Sequence, residues 1–382
     1  MIDRPRLPAL TSVRFLAALH VCIFHLYAMR IAGGQGWLRQ LASIGYVGVS
    51  FFFVLSGFIL VYTYADRGTP AREFWWARFA RIYPAYLFSL LMAGPFFFYV
   101  CLKIHPAPIA FLVWPQNHLV ASSSLVPVLL QSWVPGAALA WNPPAWSLSD
   151  EAFFYLLFPV LLVWLAKKRQ KAWLGIAVAC WAASLAITFA YVRFRPDGAS
   201  FVNDDSYFTW LSVLKFHPLV RLPEFLLGAC LGLLFLKNSV SRNWGSPLIV
   251  AGLIYFSIVV ARAPHIPYPI LHDAALMPAF AAIILGLALR PSWTRVLEFW
   301  PLVLLGDASY SFYLLHANLI GMVFQPTGEP SHLPVWKIIA GLLVPVTVSI
   351  LVYKFIEQPA RRKLLGKKKR ELEVAPAIAA TA

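Results

Sequence analysis

The stretch LTSVRFLAALHVCIFHLY, residues 10–27, decides the fold class. It is apolar over nearly the length of a membrane-spanning helix, which takes about 20 residues. Yet it carries Arg14, His20 and His25. A charge within a span costs ~2.5–3.5 kcal/mol on insertion scales, and such charges are usually retained for function. The spacing is more informative still. The eleven residues from Arg14 to His25 turn a helix through roughly 1100°, leaving ~20° after three full turns and a rise of about 16 Å. Both side chains therefore share one stripe, whereas His20 lies about 120° away on another face. The stripe reads as a polar path into a bilayer, and His20 as a packing or hydrogen-bonding residue.

The rest of the chain agrees with a membrane setting. Of its 382 residues, 60% are hydrophobic and only 13% charged, and the mean hydropathy is +0.69. Soluble domains carry about twice that share of charge. The expected fold is an all-α, polytopic membrane helical bundle of about ten transmembrane helices. The expected spans are 7–27, 44–64, 83–102, 146–166, 172–192, 222–236, 247–261, 271–289, 299–324 and 335–355. The N-terminal run is expected to be a span: it contains Arg14 and lacks the small-residue cleavage site of a signal peptide. With both termini cytoplasmic, one set of loops carries 22 Lys and Arg and the other nine, Arg14 completing the 32. That asymmetry follows the positive-inside rule. The net charge of +16 then speaks for topology and an anionic lipid surface, and against a nucleic-acid partner. Residues 1–360 form the membrane domain. The tail 361–382, with its RRKLLGKKKRELEV run, is expected to be basic, cytoplasmic and disordered. Between them, 106–133 (PAPIAFLVWPQNHLVASSSLVPVLLQSW) has apolar pieces broken by prolines and polar residues. It reads as outer-face helices that lie at the interface or re-enter. Cys22, Cys101, Cys180 and Cys230 all fall in or beside apolar runs without CxxC spacing, so they read as core residues. No metal-ligand spacing, GxSxG or P-loop is present.

Five further segments carry candidate chemistry. EFWWARFARIYPAY (73–86) places Arg78 and Arg81 at i, i+3 on one helix face. Two guanidiniums there suit a phosphorylated ligand, or simply an anchor at the inner boundary. PPAWSLSDEAFFYLLFP (143–159) opens a span with Asp150 and Glu151. Ser147 or Ser149 would cap this helix and the acids complement its dipole, or Glu151 reaches inward to a cation or an acceptor. Glu224 in VRLPEFLLGACLG (220–232) follows Pro223, as a helix-start acid or a cavity group. LGDASYSFYLLHANLI (305–320) holds Asp307, Ser309, Tyr310, Ser311 and His316, a polar stripe that serves interhelical hydrogen bonding or catalysis. Glu357 in KFIEQPARR (354–362) lies among cations at the inner boundary, where a local ion pair is the simpler reading.

Taken in order, these segments resemble the acyltransferase-3 family of membrane acyltransferases. The Arg14–His25 spacing resembles its first-span signature. VGVSFFFVLSGFIL (47–60), containing Ser56, is similar to its second-span motif. RFARIYPAY, WSLSDEAFFYLLFP, RLPEFLLGACLG, SYSFYLLH and IEQP are similar to later ones. One departure is visible: the acid after Glu151 is replaced by Ala152, and Asp150 precedes instead. The resemblance implies transfer of an acyl group, commonly acetyl from cytoplasmic acetyl-CoA as co-substrate, to a hydroxyl of a cell-surface or lipid-linked carbohydrate. It also implies a bacterial inner-membrane location and the stand-alone type that modifies O-antigen or exopolysaccharide. Carried onto this chain, it makes His25, Arg14 and Glu151 the catalytic candidates and Arg78 and Arg81 the acyl-CoA-binding ones. Ser56, Ser147, Glu224, Tyr310, Ser311, His316 and Glu357 are supporting polar groups, with no metal and no bound cofactor. His25 would be a general base or a transient acyl carrier. The rival from another class is a transporter or flippase whose buried charges line a substrate path.

Overall fold

A computed structural model describes residues 4–29, 31, 35–324 and 335–366. Among these residues the regular structure is entirely helical, and nine helical segments are long and apolar enough to cross a membrane. The tenth expected span is present as the helix Trp300–Val323, 24 residues long. It carries Asp307, Ser309, Tyr310, Ser311 and His316. Helices suit this solvent because each satisfies its own backbone groups without water. Of the expected disordered tail 361–382, residues 361–366 continue the last helix instead, and the rest lies outside the described residues.

The expected span 271–289 is divided into Tyr268–Asp273 and Met277–Ala288, and two helix starts differ from expectation in ways that matter for the polar groups. The third long helix runs from Ala71 to Lys103, 33 residues, rather than from residue 83. The aromatic–basic run 73–82 therefore belongs to the helix, which continues through Pro84 and Pro95. The helix Pro218–Leu236 likewise starts before Pro223. Arg221 lies inside it and not in the loop ahead of it.

Position in the bundle follows side-chain character. Gly48–Tyr64 is central and largely buried. Gln170–Phe194 and Gly245–Arg262 are peripheral and expose Leu174, Val178, Phe189, Leu253, Ile254 and Ile258, the side chains a lipid-facing surface needs. Close crossings use glycine. A Cβ on Gly228 would collide with the Val54 carbonyl, and one on Gly306 with the Thr11 carbonyl. The second crossing lays Trp300–Val323 along the first helix, Pro8–Ala28. Small residues at such points let backbones approach and side chains beyond them meet.

The segment between Lys103 and Trp146 folds into short helices and turns whose polar groups plug into the bundle. Trp141 Nε1 donates to Leu90 O at 2.8 Å. Asn142 Nδ2 donates to Ser89 Oγ at 3.0 Å and to Leu314 O at 3.1 Å. Val126, Ala137, Ala140 and Asn142 of this segment are buried against the rest of the protein. The four cysteines are buried and free.

Candidate functional site

A cavity of about 490 Å³ opens between the N-terminal segment, the end of Gly48–Tyr64, and the last helical turns near Arg361. Eight arginines and three carboxylates line it. The arginines are Arg4, Arg6, Arg67, Arg361 and Arg362, with Arg14 from the first helix and Arg78 and Arg81 from Ala71–Lys103. The carboxylates are Glu151, Asp307 and Glu357. The lining is thus strongly cationic, and low-dielectric walls focus such a field on an incoming anion.

Arg14 stands on the first helix, Pro8–Ala28, and Arg78 and Arg81 on one face of Ala71–Lys103. Arg78 donates to the Tyr64 hydroxyl at 3.0 Å, with its guanidinium over the Tyr64 and Phe74 rings. Arg81, one turn on, shares the cavity with Arg14, Glu151 and Asp307, its nearest charges together with Glu357. The helix face that carries both arginines lines the cavity. Glu151 accepts from Tyr155 one turn ahead at 2.9 Å. Ser147 and Tyr313 hydroxyls are 2.9 Å apart, and Tyr313 also donates to Pro144 O at 2.9 Å. Neither Ser147 nor Ser149 caps its helix: the N-terminus of Trp146–Ala166 has no side-chain cap, and Ser149 donates instead to Leu129 O at 2.7 Å. The capping reading of this motif is replaced by a tertiary one.

The remaining supporting groups close the cavity. Tyr310 donates to Ile82 O at 2.7 Å. Ser311 donates to Glu357 Oε2 at 2.7 Å. Glu357 ends a π-helical turn, Tyr353–Glu357. Such turns re-aim side chains and gather at functional sites, and here the turn brings a buried carboxylate to the cavity wall. Ser56 lines the wall directly.

His25 lies beyond the inner end of this cavity. Its Nδ1 is 3.2 Å from Nε2 of His316, and the rings meet edge-on with centroids 4.8 Å apart. His316 in turn packs beside Tyr313, a cavity-lining residue, at 5.9 Å between ring centroids. The stripe expected from helical spacing therefore leads from Arg14 in the cavity to His25 one aromatic layer further. His20 is elsewhere, 2.7 Å from Leu41 O through its Nε2, and ties the first helix to the short helix Gly36–Ser43.

Glu224 does not join the cavity, and it is not a helix cap. It belongs to a second polar cluster around Arg221, whose side chain is 1% exposed. Arg221 pairs with Glu224 at 3.1 Å and with Asp273, and donates to Ser50 Oγ at 2.9 Å. Its guanidinium sits over Phe53 and Trp146. Asp273 also contacts His272, and Asp150 is fully buried nearby, with Arg221 and Glu224 as its leading electrostatic neighbours. Lys215, a second residue assigned to an outer loop from sequence, is 3% exposed. It donates to the Asp204 and Ser206 carbonyls beneath the rings of Tyr207 and Tyr268. Sequence reading also missed Tyr64, Tyr155, Tyr313 and Asn142. The clue for the last two was their place beside polar motifs in otherwise apolar runs. Among the described residues no His, Cys, Asp or Glu group of three or more is arranged to hold a metal ion.

Comparison with known proteins accords with the motifs. The profile described as "Acyltransferase domain" matches residues 7–354. The chain is 31% identical over 400 residues to the acyltransferase MdmB of Streptomyces mycarofaciens, covering 97% of this chain and 95% of that one. It is 26% identical over 381 residues to the O-acetyltransferase OatA of Staphylococcus aureus, covering 94% of this chain. There it spans only 57% of the relative's length. No solved structure matches the chain. Motifs in order, an all-helical membrane-spanning bundle and a profile match over nearly the whole length lead to one conclusion: this chain belongs to the acyltransferase-3 family and is an integral membrane acyltransferase.

Proposed function

We propose that the protein transfers an acyl group, acetyl from acetyl-CoA, through the bundle to a hydroxyl of a cell-surface or lipid-linked carbohydrate. The cavity mouth then faces the cytoplasm of a bacterial inner membrane, with both termini on that side. The observation that carries this reading is the arginine-lined cavity ending one aromatic layer from His25. Arg78 and Arg81 would hold the donor's phosphates, for which forked guanidiniums are well shaped. The other lining arginines would draw the anion in. Arg14 would stabilise negative charge developing on the thioester oxygen.

The chemistry balances with the groups present. The acceptor hydroxyl oxygen attacks the thioester carbonyl carbon, His25 takes the hydroxyl proton, the carbon–sulfur bond breaks, and the thiolate leaves as CoA and recovers a proton. Glu151, held by Tyr155 near Arg14 and Arg81, would balance the two guanidiniums when the donor is absent. The names of the relatives, an acyltransferase and an O-acetyltransferase, support an oxygen acceptor and an acetyl donor.

The test is transfer of label from [14C]acetyl-CoA into the glycan fraction of membranes carrying the protein. Wild type should label acceptor material, and His25→Ala at equal protein level should not. Label that never reaches acceptor material in wild-type membranes would overturn acetyl transfer to a glycan. Transfer undiminished in His25→Ala would remove the histidine from the chemistry.

A further inference from the structure

His316 stands on a different helix from His25 and touches nothing in the cavity directly. Its side chain is fully buried. Its Nδ1 lies 2.7 Å from Tyr313 O and 3.2 Å from Phe312 O. Carbonyl oxygens only accept, so this nitrogen carries the hydrogen. A neutral imidazole has one N–H, and a buried imidazolium without a counter-charge is expensive. Among the described residues the histidine that pairs with a carboxylate is His272, in the other cluster. Nε2 of His316 is therefore a bare lone pair, and it faces His25 Nδ1 at 3.2 Å.

The consequence passes to His25. Its Nδ1 has two neighbours, His316 Nε2 and Val21 O at 2.9 Å, and both are acceptors. Nδ1 of His25 must then be the donor. Its hydrogen is placed there, and Nε2, on the far edge of the ring, is left unprotonated. Phe24 packs edge-on against the same ring at 5.2 Å between centroids and limits its rotation. Val21 O accepts from the same Nδ1–H within its own helix, and His316 Nε2 adds a second acceptor from the neighbouring helix, which fixes the ring's rotation as well as its tautomer. The geometry points to His316 as a positioning residue. We infer that it fixes the tautomer and orientation of His25 so that Nε2 is presented as a base to the acceptor hydroxyl. This rests on the proposed acyl transfer, and it adds a residue that acts through His25 and not on substrate. The arrangement parallels the general need of a catalytic base for a second group that orients it.

The crossing at Gly306 makes the contact possible, since it brings the two helices close enough for imidazoles 291 residues apart to meet. On the other side, Asn318 donates to Asn142 Oδ1 at 2.9 Å and Asn142 donates to Leu314 O. Both bonds hold this stretch of helix in place.

The experiment uses the full chain in nanodiscs for spectroscopy and in membranes containing the native acceptor, with [14C]acetyl-CoA as the donor probe. His316→Leu removes the acceptor while keeping bulk, and His316→Gln restores an acceptor oxygen. His316→Leu should lower kcat by about 100-fold with donor KM within about twofold, because a base left in the wrong tautomer fails in the chemical step. His316→Gln should recover most of that loss. In 15N-histidine NMR the wild-type His25 should show Nδ1–H and bare Nε2. Full activity in His316→Leu, equal losses in the Leu and Gln variants, or wild-type His25 protonated at Nε2 would each overturn the inference. If His316→Leu does not fold, wild-type His25 protonated at Nε2 still overturns the inference, and His316→Gln, with activity near wild type, supports it. Full transfer in His25→Ala would instead strike the proposed chemistry itself, so the two failures are distinct.

Discussion

Around Arg14 and Arg81, eight arginines and three carboxylates line an open cavity. Around Arg221, Glu224, Asp273 and Ser50 close on a single guanidinium that is 1% exposed. The same residue types sit in the same apolar bundle, but their charge balance and access differ. In the first region positive charge is in excess and reachable, so an anion completes it. In the second the protein supplies the counter-charges and aromatic faces itself. A polar group inside a membrane protein is thus evidence of function only after its partners are known. An arginine completed by its own chain is part of the frame, and one left facing a cavity is available to a ligand.

Substitutions separate the two regions by what they damage. Arg221→Ala leaves two buried carboxylates without their cation and should destabilise the fold by about 3–5 kcal/mol. Thermal unfolding in detergent and the yield of monodisperse protein measure this, and an unshifted transition would break the comparison. Arg14→Ala should fold with a nearly unchanged transition yet lose about 100-fold or more in transfer rate, the scale of removing one preorganised stabiliser of developing charge. If Arg14→Ala instead unfolds the protein, the cavity arginines are structural as well. The joint replacement of Arg221, Glu224 and Asp273 by Met, Leu and Leu tests the same boundary from the other side. Exchanging a whole buried ion cluster for well-packed apolar residues of similar volume is often neutral or stabilising by about 1–4 kcal/mol, so most of the Arg221→Ala loss should be recovered. At the cavity, Arg78→Ala with Arg81→Ala should raise the apparent KM for acetyl-CoA by about tenfold, which corresponds to ~1.4 kcal/mol, and leave kcat less affected. An unchanged KM would make both residues an anchor at the membrane boundary. On stability, an effect smaller than that of Arg221→Ala is expected for Ser311→Ala, which removes one charge-assisted hydrogen bond to Glu357 and should cost about 1–3 kcal/mol, read as a modest drop in unfolding temperature.

Much of the bundle was legible because a span is a local property. About 20 apolar residues in a row have few other destinations, and the expected runs correspond to the observed long helices. The errors occurred where local signals pointed the wrong way. Aromatic and basic residues at 73–82 read as an interface, yet they form the first turns of Ala71–Lys103. Pro223 suggested a helix start, although Pro218–Leu236 runs through it, so Arg221 was counted as a loop charge. The cavity was half legible. Arg14, Arg78, Arg81, Glu151 and Glu357 stood out because charges are scarce in this sequence, and all five line it. Glu224 stood out for the same reason and belongs to the closed cluster.

The amino-acid sequence by itself determined that the chain is a membrane bundle, that Arg14 and His25 share one stripe, and, through its ordered motifs, which family it resembles. Composition, helical period and motif order are all written within short windows, so no partner helix is needed to read them. Only the tertiary structure decided that Arg221 is matched by its own carboxylates, that Arg81 faces a cavity, and that His25 meets His316 across 291 residues. Those outcomes depend on which helices cross, how closely their glycines let them approach, and what each side chain then finds opposite. No window of sequence contains that information, because the contacts join residues that only packing brings together.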